Sequence, residues 1–399
     1  MAKQFLHNKW MEIDADAVKG NLEAIQTLLE ERTRLVAVLK ADAYGHGAVN
    51  IARLLFQQGV DFFAVSFLGE AIELRKAGIR ASILVFSPLI DEDQVKEAMR
   101  YKLTLTITSL YDSQLIDEVS QRLNQKVSVH LKVETGLARF GLNGEELIAV
   151  CNSLKDNSNI YIEGIYTHMA EAAANNASYT EGQFARFMEL CQSVTAAGFK
   201  IPVKHCANSA VFLKYPHMHL DAVRIGTLLS GQYPSGNFDK TLTLTDPFKF
   251  KSQIIAIQNR KAGTYLGYYR SYRLKNPAQI AVIPVGYNDG LALEVANKPE
   301  GFIDLCKKLV KMILFYFDSP RFSLYVKIKG RAYPVRGKVF MQMALIEIPL
   351  NANVNVGDEV EIPIRKTLAA KSITRFYLKD GAAVKIEDEE GTSYVVEEE

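Results

Sequence analysis

The chain has only four cysteines, Cys151, Cys191, Cys206 and Cys306, widely spaced and without a CxxC pair. That excludes a disulfide framework, and reduced thiols in a cytoplasmic protein are the simplest reading. Neither charge is in excess: 47 Lys and Arg against 45 Asp and Glu leave a net +2, scattered along the chain. Nothing there gives nucleic acid a footprint. No uncharged apolar run approaches the roughly 18 residues of a membrane span. The best candidate, Leu309–Phe317, is short and contains Lys311. Met1–Lys9 has no apolar core, which argues against a signal peptide. There is no internal repeat and no low-complexity linker, and we expect no metal.

What is present is an ordinary globular composition, 48% apolar and 23% charged, in a chain of 399 residues, long enough for two domains. From about Asp14 to Gly231 helix-like and strand-like segments alternate. Helical patterns fall near 17–31, 47–58, 69–77, 91–101, 112–124, 144–156 and 178–198. Between them lie Leu35–Lys40, Phe62–Phe67, Ser82–Ser87, Leu103–Thr108, Val127–Val133, Ile160–Thr167, Val203–Cys206 and Leu220–Ile225. Strict alternation makes an α/β domain with a parallel sheet and crossover helices. Eight such units predict a closed (β/α)8 TIM barrel, with an open doubly wound sheet as the alternative. After Asp246 the texture becomes alternating and turn-rich, which predicts a mainly β C-terminal domain. We place the barrel at 11–243 and the β domain at 244–386, with residues 1–10 packed on the latter. Residues 301–317 read as an inserted amphipathic helix that Asp318-Ser319-Pro320 would stop. The acidic tail Glu387–Glu399 reads as a solvated end.

The most informative stretch is Val36–Gly47, an apolar run closed by Lys40 and followed by a turn with Gly45 and Gly47. A lysine ending a buried strand is costly unless it escapes to water or does chemistry. An amine held at low dielectric loses its proton near neutral pH and attacks carbonyls, as a Schiff-base lysine must. In a barrel the C-terminal strand ends carry the active site. Lys132 and Arg139 flank the turn after the fifth strand, and His168 ends the sixth. Asn208 and Ser209 follow the seventh; Arg224 ends the eighth, before Gly226 and Thr227. Singly, each has a bland explanation. Lys40 could snorkel, Arg139 could sit on a solvated turn, His168 could be a core histidine and Arg224 could pair with Asp221. Tyr44 and Tyr268 could simply pack. Jointly they mark a polar pocket on one face.

The Lys40 stretch also resembles the pyridoxal-phosphate (PLP) lysine motif of the alanine racemase family. The likeness runs from about Asn8 to Tyr377. It is carried further by the turn around Arg139, by Arg224-Ile225-Gly226 and by Ile283–Gly290. The resemblance implies interconversion of L- and D-alanine on a barrel-plus-β fold, in a cytoplasmic enzyme making D-alanine for the cell wall. It implies that Lys40, Tyr44, His168, Ser209, Arg224, Gly226 and Thr227 hold PLP. It also implies that Arg139, Lys132, Tyr287 and Met341 serve the amino-acid substrate, Lys132 matching a lysine often carbamylated in the family. Counting back from Tyr287, Tyr268 takes the second catalytic position, with Tyr269 the nearby alternative. Lys40 then serves the D-enantiomer and Tyr268 the L-enantiomer, from opposite faces of Cα. Ionising a free tyrosine at pH 7 costs about 4 kcal/mol. His168 and Arg224 are the candidate sources of stabilising positive charge. Family sites are completed by the partner's β domain in a head-to-tail homodimer, so Tyr268, Tyr287 and Met341 would enter the partner's site.

Three features depart from the family pattern. Lys371 falls near a usual phosphate-binding tyrosine. Phe340-Met341-Gln342 replaces the usual Cys-Met-Asp, and the stretch from Gly290 to Gly337 is long. All lie in the domain that shapes substrate access, so they bear on "alanine" more than on "racemase". The alternatives are a racemase for serine or a larger amino acid, a PLP-barrel decarboxylase and a non-catalytic PLP-binding regulator.

Overall fold

The computed structural model describes residues 8–294, 298–299, 301–317, 319, 321–388 and 393–395. It divides into two units. One is Asp16–Asp246, and the other takes the residues up to Ala15 together with those from Pro247.

The first unit contains two parallel four-stranded sheets. Arg34–Val38 pairs with Ala222–Ile225 on one side and with Phe62–Val65 on the other, and Phe62–Val65 pairs with Ser82–Val85. The second sheet runs Leu105–Ile107, Val127–Lys132, Ile160–Tyr166, Val203–His205. The sheets meet at two seams. Leu84 bridges Thr104 at one. At the other, Arg224 N donates to Ala207 O at 2.9 Å and Asp221 N to Lys204 O at 3.1 Å. Eight strands thus follow chain order around a barrel, each starting within two residues of its sequence expectation. Their residues, such as the wholly buried Phe62–Val65, suit strands covered on both faces. Val36, Val38, Phe62, Ala64, Leu84 and Ala222 pack as one cluster.

Local capping sets where helices begin. Asp91 caps Glu92–Arg100, accepting from Gln94 N at 2.8 Å. Ser109 with Asp112, and Asn143 with Glu146, form reciprocal capping boxes for Leu110–Leu123 and Gly144–Leu154. The first helix, Ala15–Gln26, stops short of the expected residue 31. Glu30 and Glu31 would oppose the helix dipole at such a C-terminus. A short helix, Ser209–Lys214, was not foreseen.

The second unit is built on an eleven-stranded sheet. Lys9–Asp14 lies inside it, antiparallel to Phe248–Gln253 and parallel to Arg375–Lys379. Residues 11–14 therefore belong to this sheet rather than opening the barrel. The segment read as Lys249–Ile257 is two strands, Phe248–Gln253 and Ala256–Arg260. Glu387 is not a solvated end: it is buried, paired with Arg375 at 2.6 Å, and accepts from the Tyr377 hydroxyl at 2.9 Å. Residues 389–392 and 396–399 of the acidic tail lie outside the described residues, as do Asp318 and Pro320. The insertion is helical over Phe302–Tyr316, and none of its residues is buried. Among the described residues no helix is long and apolar enough to cross a membrane.

Candidate active site

At the C-terminal ends of the barrel strands lies a cavity of ≈ 370 Å³. Its lining includes Lys40, Tyr44, Arg139, His168, Ser209 and Arg224, all from the barrel unit. Lys40 lies two residues past the end of the first strand, after Leu39. Burial, then the charges of Arg139 and Arg224, lower its pKa from the ordinary lysine value, against an opposing pull from Glu70. The amine is thus biased toward its neutral, nucleophilic form.

The chain after Lys40 takes an unusual path. Ala41, Asp42, Ala43 and Tyr44 all have left-handed φ, between 50° and 58°. Each such residue costs roughly 1–2 kcal/mol, so the turn needs external support. Glu70 provides it, accepting from Ala41 N at 2.7 Å and from Ser66 and Phe67 N at 2.9 Å. Asp42 accepts from Ala48 N at 2.7 Å. The result carries Tyr44 over the eighth strand's end, where a Cβ on Gly226 would lie 2.2 Å from its hydroxyl oxygen. Only glycine fits there. Burial pushes the Tyr44 phenol up to about 12, so it stays protonated at neutral pH. Ser209 Oγ sits 3.4 Å from Gly226 N, and Thr227 lines the same corner.

Arg224 is buried and held by neutral acceptors. NH1 donates to His205 Nδ1 at 3.0 Å and to His205 O at 3.1 Å. NH2 donates to Thr167 O at 2.8 Å and faces His168 Nδ1 at 3.4 Å. Asp221 does not pair with it; that carboxylate accepts from Lys204 N at 2.8 Å. Burial foremost, then Arg224 and Arg139, push His168 well below its usual pKa. His168 is therefore neutral at pH 7, without the positive charge expected from sequence.

Lys132 is fully buried beside this constellation, donating to Val133 O at 2.6 Å, and burial lowers its pKa to about 8. Arg139 stands at the exposed mouth, stacked at 4.9 Å on Phe140. Its turn is shaped by Glu134, which accepts from Leu137 N at 2.6 Å, and by Gly141, where a Cβ would meet Glu134 N at 2.8 Å.

Tyr268, Tyr287 and Met341 belong to the other unit and form an exposed patch there, at 66%, 43% and 58% exposure. Tyr287 N donates to Phe340 O at 3.1 Å, and the Tyr268 ring meets Phe340 edge-on at 5.0 Å. Tyr269, with φ 56°, points its ring at Lys338 instead, 4.5 Å from Nζ. Gln342 and Lys371 are exposed. Sequence reasoning missed Glu70 and His205. The first reads as a routine helix residue, and only the contact with Arg224 reveals the second.

Residues 13–234 match the family model described as alanine racemase, N-terminal domain, and residues 248–377 match alanine racemase, C-terminal domain. The chain is 34% identical over 343 residues to alanine racemase 1 of Oceanobacillus iheyensis, covering 85% of this chain and 84% of that protein. It is 32% identical to the alanine racemase of Methanococcus maripaludis, covering 89% of each. Among solved structures, the alanine racemase of Clostridium difficile 630 superposes with a TM-score of 0.85 at 30% identity, over 96% of this chain and 99% of that one. The Bacillus anthracis alanine racemase with bound L-Ala-P superposes with a TM-score of 0.82 at 25% identity, over 96% and 98%.

Proposed function

The chain belongs to the alanine racemase family, and from that premise we propose that it interconverts L- and D-alanine with PLP, using Lys40 and Tyr268 on opposite faces of the substrate Cα. The observation that carries this is the Lys40 amine, lowered in pKa, in a cavity whose lining includes the donors Tyr44, Arg139, Ser209 and Arg224.

Those donors fit PLP. The protonated Tyr44 phenol, the Ser209 hydroxyl and the backbone at Gly226 and Thr227 suit a phosphate, and Gly226 leaves the space that a Cβ would fill. Arg224 only donates, so it can hydrogen-bond a ring nitrogen without protonating it. Among the described residues no carboxylate pairs with Arg224. Bound PLP supplies an electron sink that loosens the Cα–H bond of an amino acid. A sink left unprotonated is weaker, which disfavours side reactions such as transamination.

The remaining work falls to side chains of this protein. Lys40, biased neutral, takes or returns a proton on one face of Cα. Arg139 at the mouth suits the substrate carboxylate. With Nδ1 turned to Arg224, His168 keeps its proton on Nε2, free to stabilise a phenolate oxygen. Tyr268 is the proposed base on the other face. Its exposure, together with that of Tyr287 and Met341, supports a head-to-tail homodimer in which this patch enters the partner's cavity. Lys132, lowered to about 8, offers more of the neutral amine that carbamylation needs than an ordinary lysine does. We place the enzyme in the cytoplasm, supplying D-alanine for the cell wall; its four free thiols fit a reducing compartment.

The test is to incubate purified protein and PLP with single L-amino acids and follow loss of optical rotation. Alanine is expected to racemise fastest. Preference for serine or lysine would overturn the substrate, and no racemisation of any would overturn the function.

A further inference from the structure

A line of buried polar side chains leads away from Arg224, through the barrel interior, to Glu163 on the sixth strand. Arg224 NH1 lies 3.0 Å from His205 Nδ1, and His205 Nε2 lies 2.8 Å from His130 Nδ1. His130 Nε2 has no hydrogen-bond partner among the described residues and faces the Glu163 carboxylate at 3.6 Å. Both histidines are wholly buried.

Donor and acceptor chemistry assigns every proton along this line. Arginine only donates, so His205 Nδ1 accepts and the His205 proton sits on Nε2. That proton fills the contact with His130 Nδ1, which puts the His130 proton on Nε2, aimed at Glu163. An ionised carboxylate only accepts, so Glu163 is a terminus compatible with that order. A second proton on either ring would set N–H against N–H. Burial pushes both histidines below their usual pKa, and the His130 contact helps hold the Glu163 carboxyl low.

The sixth strand is shaped around this contact. Between Val129 and His130 the ladder skips from Ile162 to Gly164, so Glu163 is the extra residue of a β-bulge. Bulges re-aim side chains. At Gly164 a Cβ would lie 2.5 Å from two His130 ring atoms, so glycine there makes room for the ring. The Thr104 hydroxyl also hydrogen-bonds the Glu163 carboxylate, and aromatic rings flank the two histidines. Tyr166 stacks on His205 with centroids 4.8 Å apart, and Phe62 meets His130 edge-on at 5.9 Å. Arg34, over the Phe62 ring, adds positive charge that favours the Glu163 carboxylate and a neutral His130.

We infer that Glu163 and His130 are positioning residues, which lock the proton order of a buried relay that holds the Arg224 guanidinium at the cavity. Their part in the reaction rests on Arg224 facing the cofactor, whereas the proton order does not. Neutron diffraction from deuterium-exchanged holoenzyme reads that order directly. Deuterium is expected on Nε2 of both histidines, with none on Nδ1 and none on Glu163. Deuterium on either Nδ1, or on Glu163, overturns the inference whether or not the protein racemises alanine.

Variants test the consequence. Glu163→Gln keeps an acceptor oxygen and should hold kcat within about threefold of wild type. Glu163→Leu frees His130 to change tautomer, which turns an N–H toward His205 and loosens Arg224. Its kcat should fall on the order of tenfold with little change in KM. Equal kcat for the Gln and Leu variants overturns the positioning role. Wild-type crystals with the expected deuterium pattern but no racemase activity overturn the proposed function instead.

Discussion

Gly226→Ala tests whether the eighth strand's end and Tyr44 together form the phosphate corner. The new Cβ would sit 2.2 Å from the Tyr44 hydroxyl oxygen and 2.7 Å from Cε2 and Cζ. Contacts between such atoms are comfortable only near 3.5–4.0 Å, so the ring must retreat by more than about 1 Å. Tyr44 has little freedom to do so, because it ends the left-handed run that begins at Ala41. Two costs follow. Overpacking lowers stability by about 1–3 kcal/mol. Displacing the hydroxyl removes a hydrogen bond to a charged group, about 1.5–3 kcal/mol, which is about 10- to 150-fold in Kd for PLP. The assay is titration of the apoprotein with PLP, followed by absorbance of the bound cofactor, with folding checked by circular dichroism. Tyr44→Phe removes the same hydrogen bond without the clash, so its affinity should fall similarly. The double variant should bind no worse than the weaker single. A Gly226→Ala protein that binds PLP within about twofold of wild type refutes this reasoning, as do fully additive losses.

Three further outcomes are expected. Lys132 has a folded pKa of about 8 against an ordinary 10.5. Between those values the unfolded chain binds more protons, so stability relative to Lys132→Met should rise with pH, by about 3 kcal/mol across pH 8 to 10.5. Urea titrations in CO2-free buffer read this, and a flat difference contradicts it. Glu70→Ala strips the acceptor from three backbone N–H groups beside the left-handed turn. It should cost about 1–3 kcal/mol and weaken PLP binding; a loss below about 0.5 kcal/mol in urea would contradict the bracing role. Mixed dissociated subunits of Lys40→Ala and Tyr268→Phe, each inactive alone, should on reassociation recover about a quarter of wild-type activity, since half the dimers hold one intact site. No recovery argues against a site shared between subunits.

The barrel was legible because most of its strands are short apolar runs and three of its helices start at Asp91, Ser109 and Asn143, residues whose side chains cap them. The pocket was legible because polar residues at successive strand ends converge in this architecture whatever their partners are. What escaped the sequence depends on long-range contact. Lys9–Asp14 gains its place between strands some 240 and 365 residues further on. Glu387 gains a buried role only through Arg375. Four consecutive left-handed residues, none of them glycine, carry no local signature, because distant Glu70 holds them. Glu163 is aimed inward by a bulge that alternation of polar and apolar residues does not reveal.

The most direct test of two bases on opposite faces follows α-deuterium release from labelled D- and L-alanine by Tyr268→Phe holoenzyme. Deuterium should still leave D-alanine, through Lys40. Its release from L-alanine should fall by about 10²- to 10⁴-fold, the usual worth of a positioned base. Equal loss for both enantiomers, or an L-selective loss in Tyr269→Phe instead, would contradict the assignment of Tyr268.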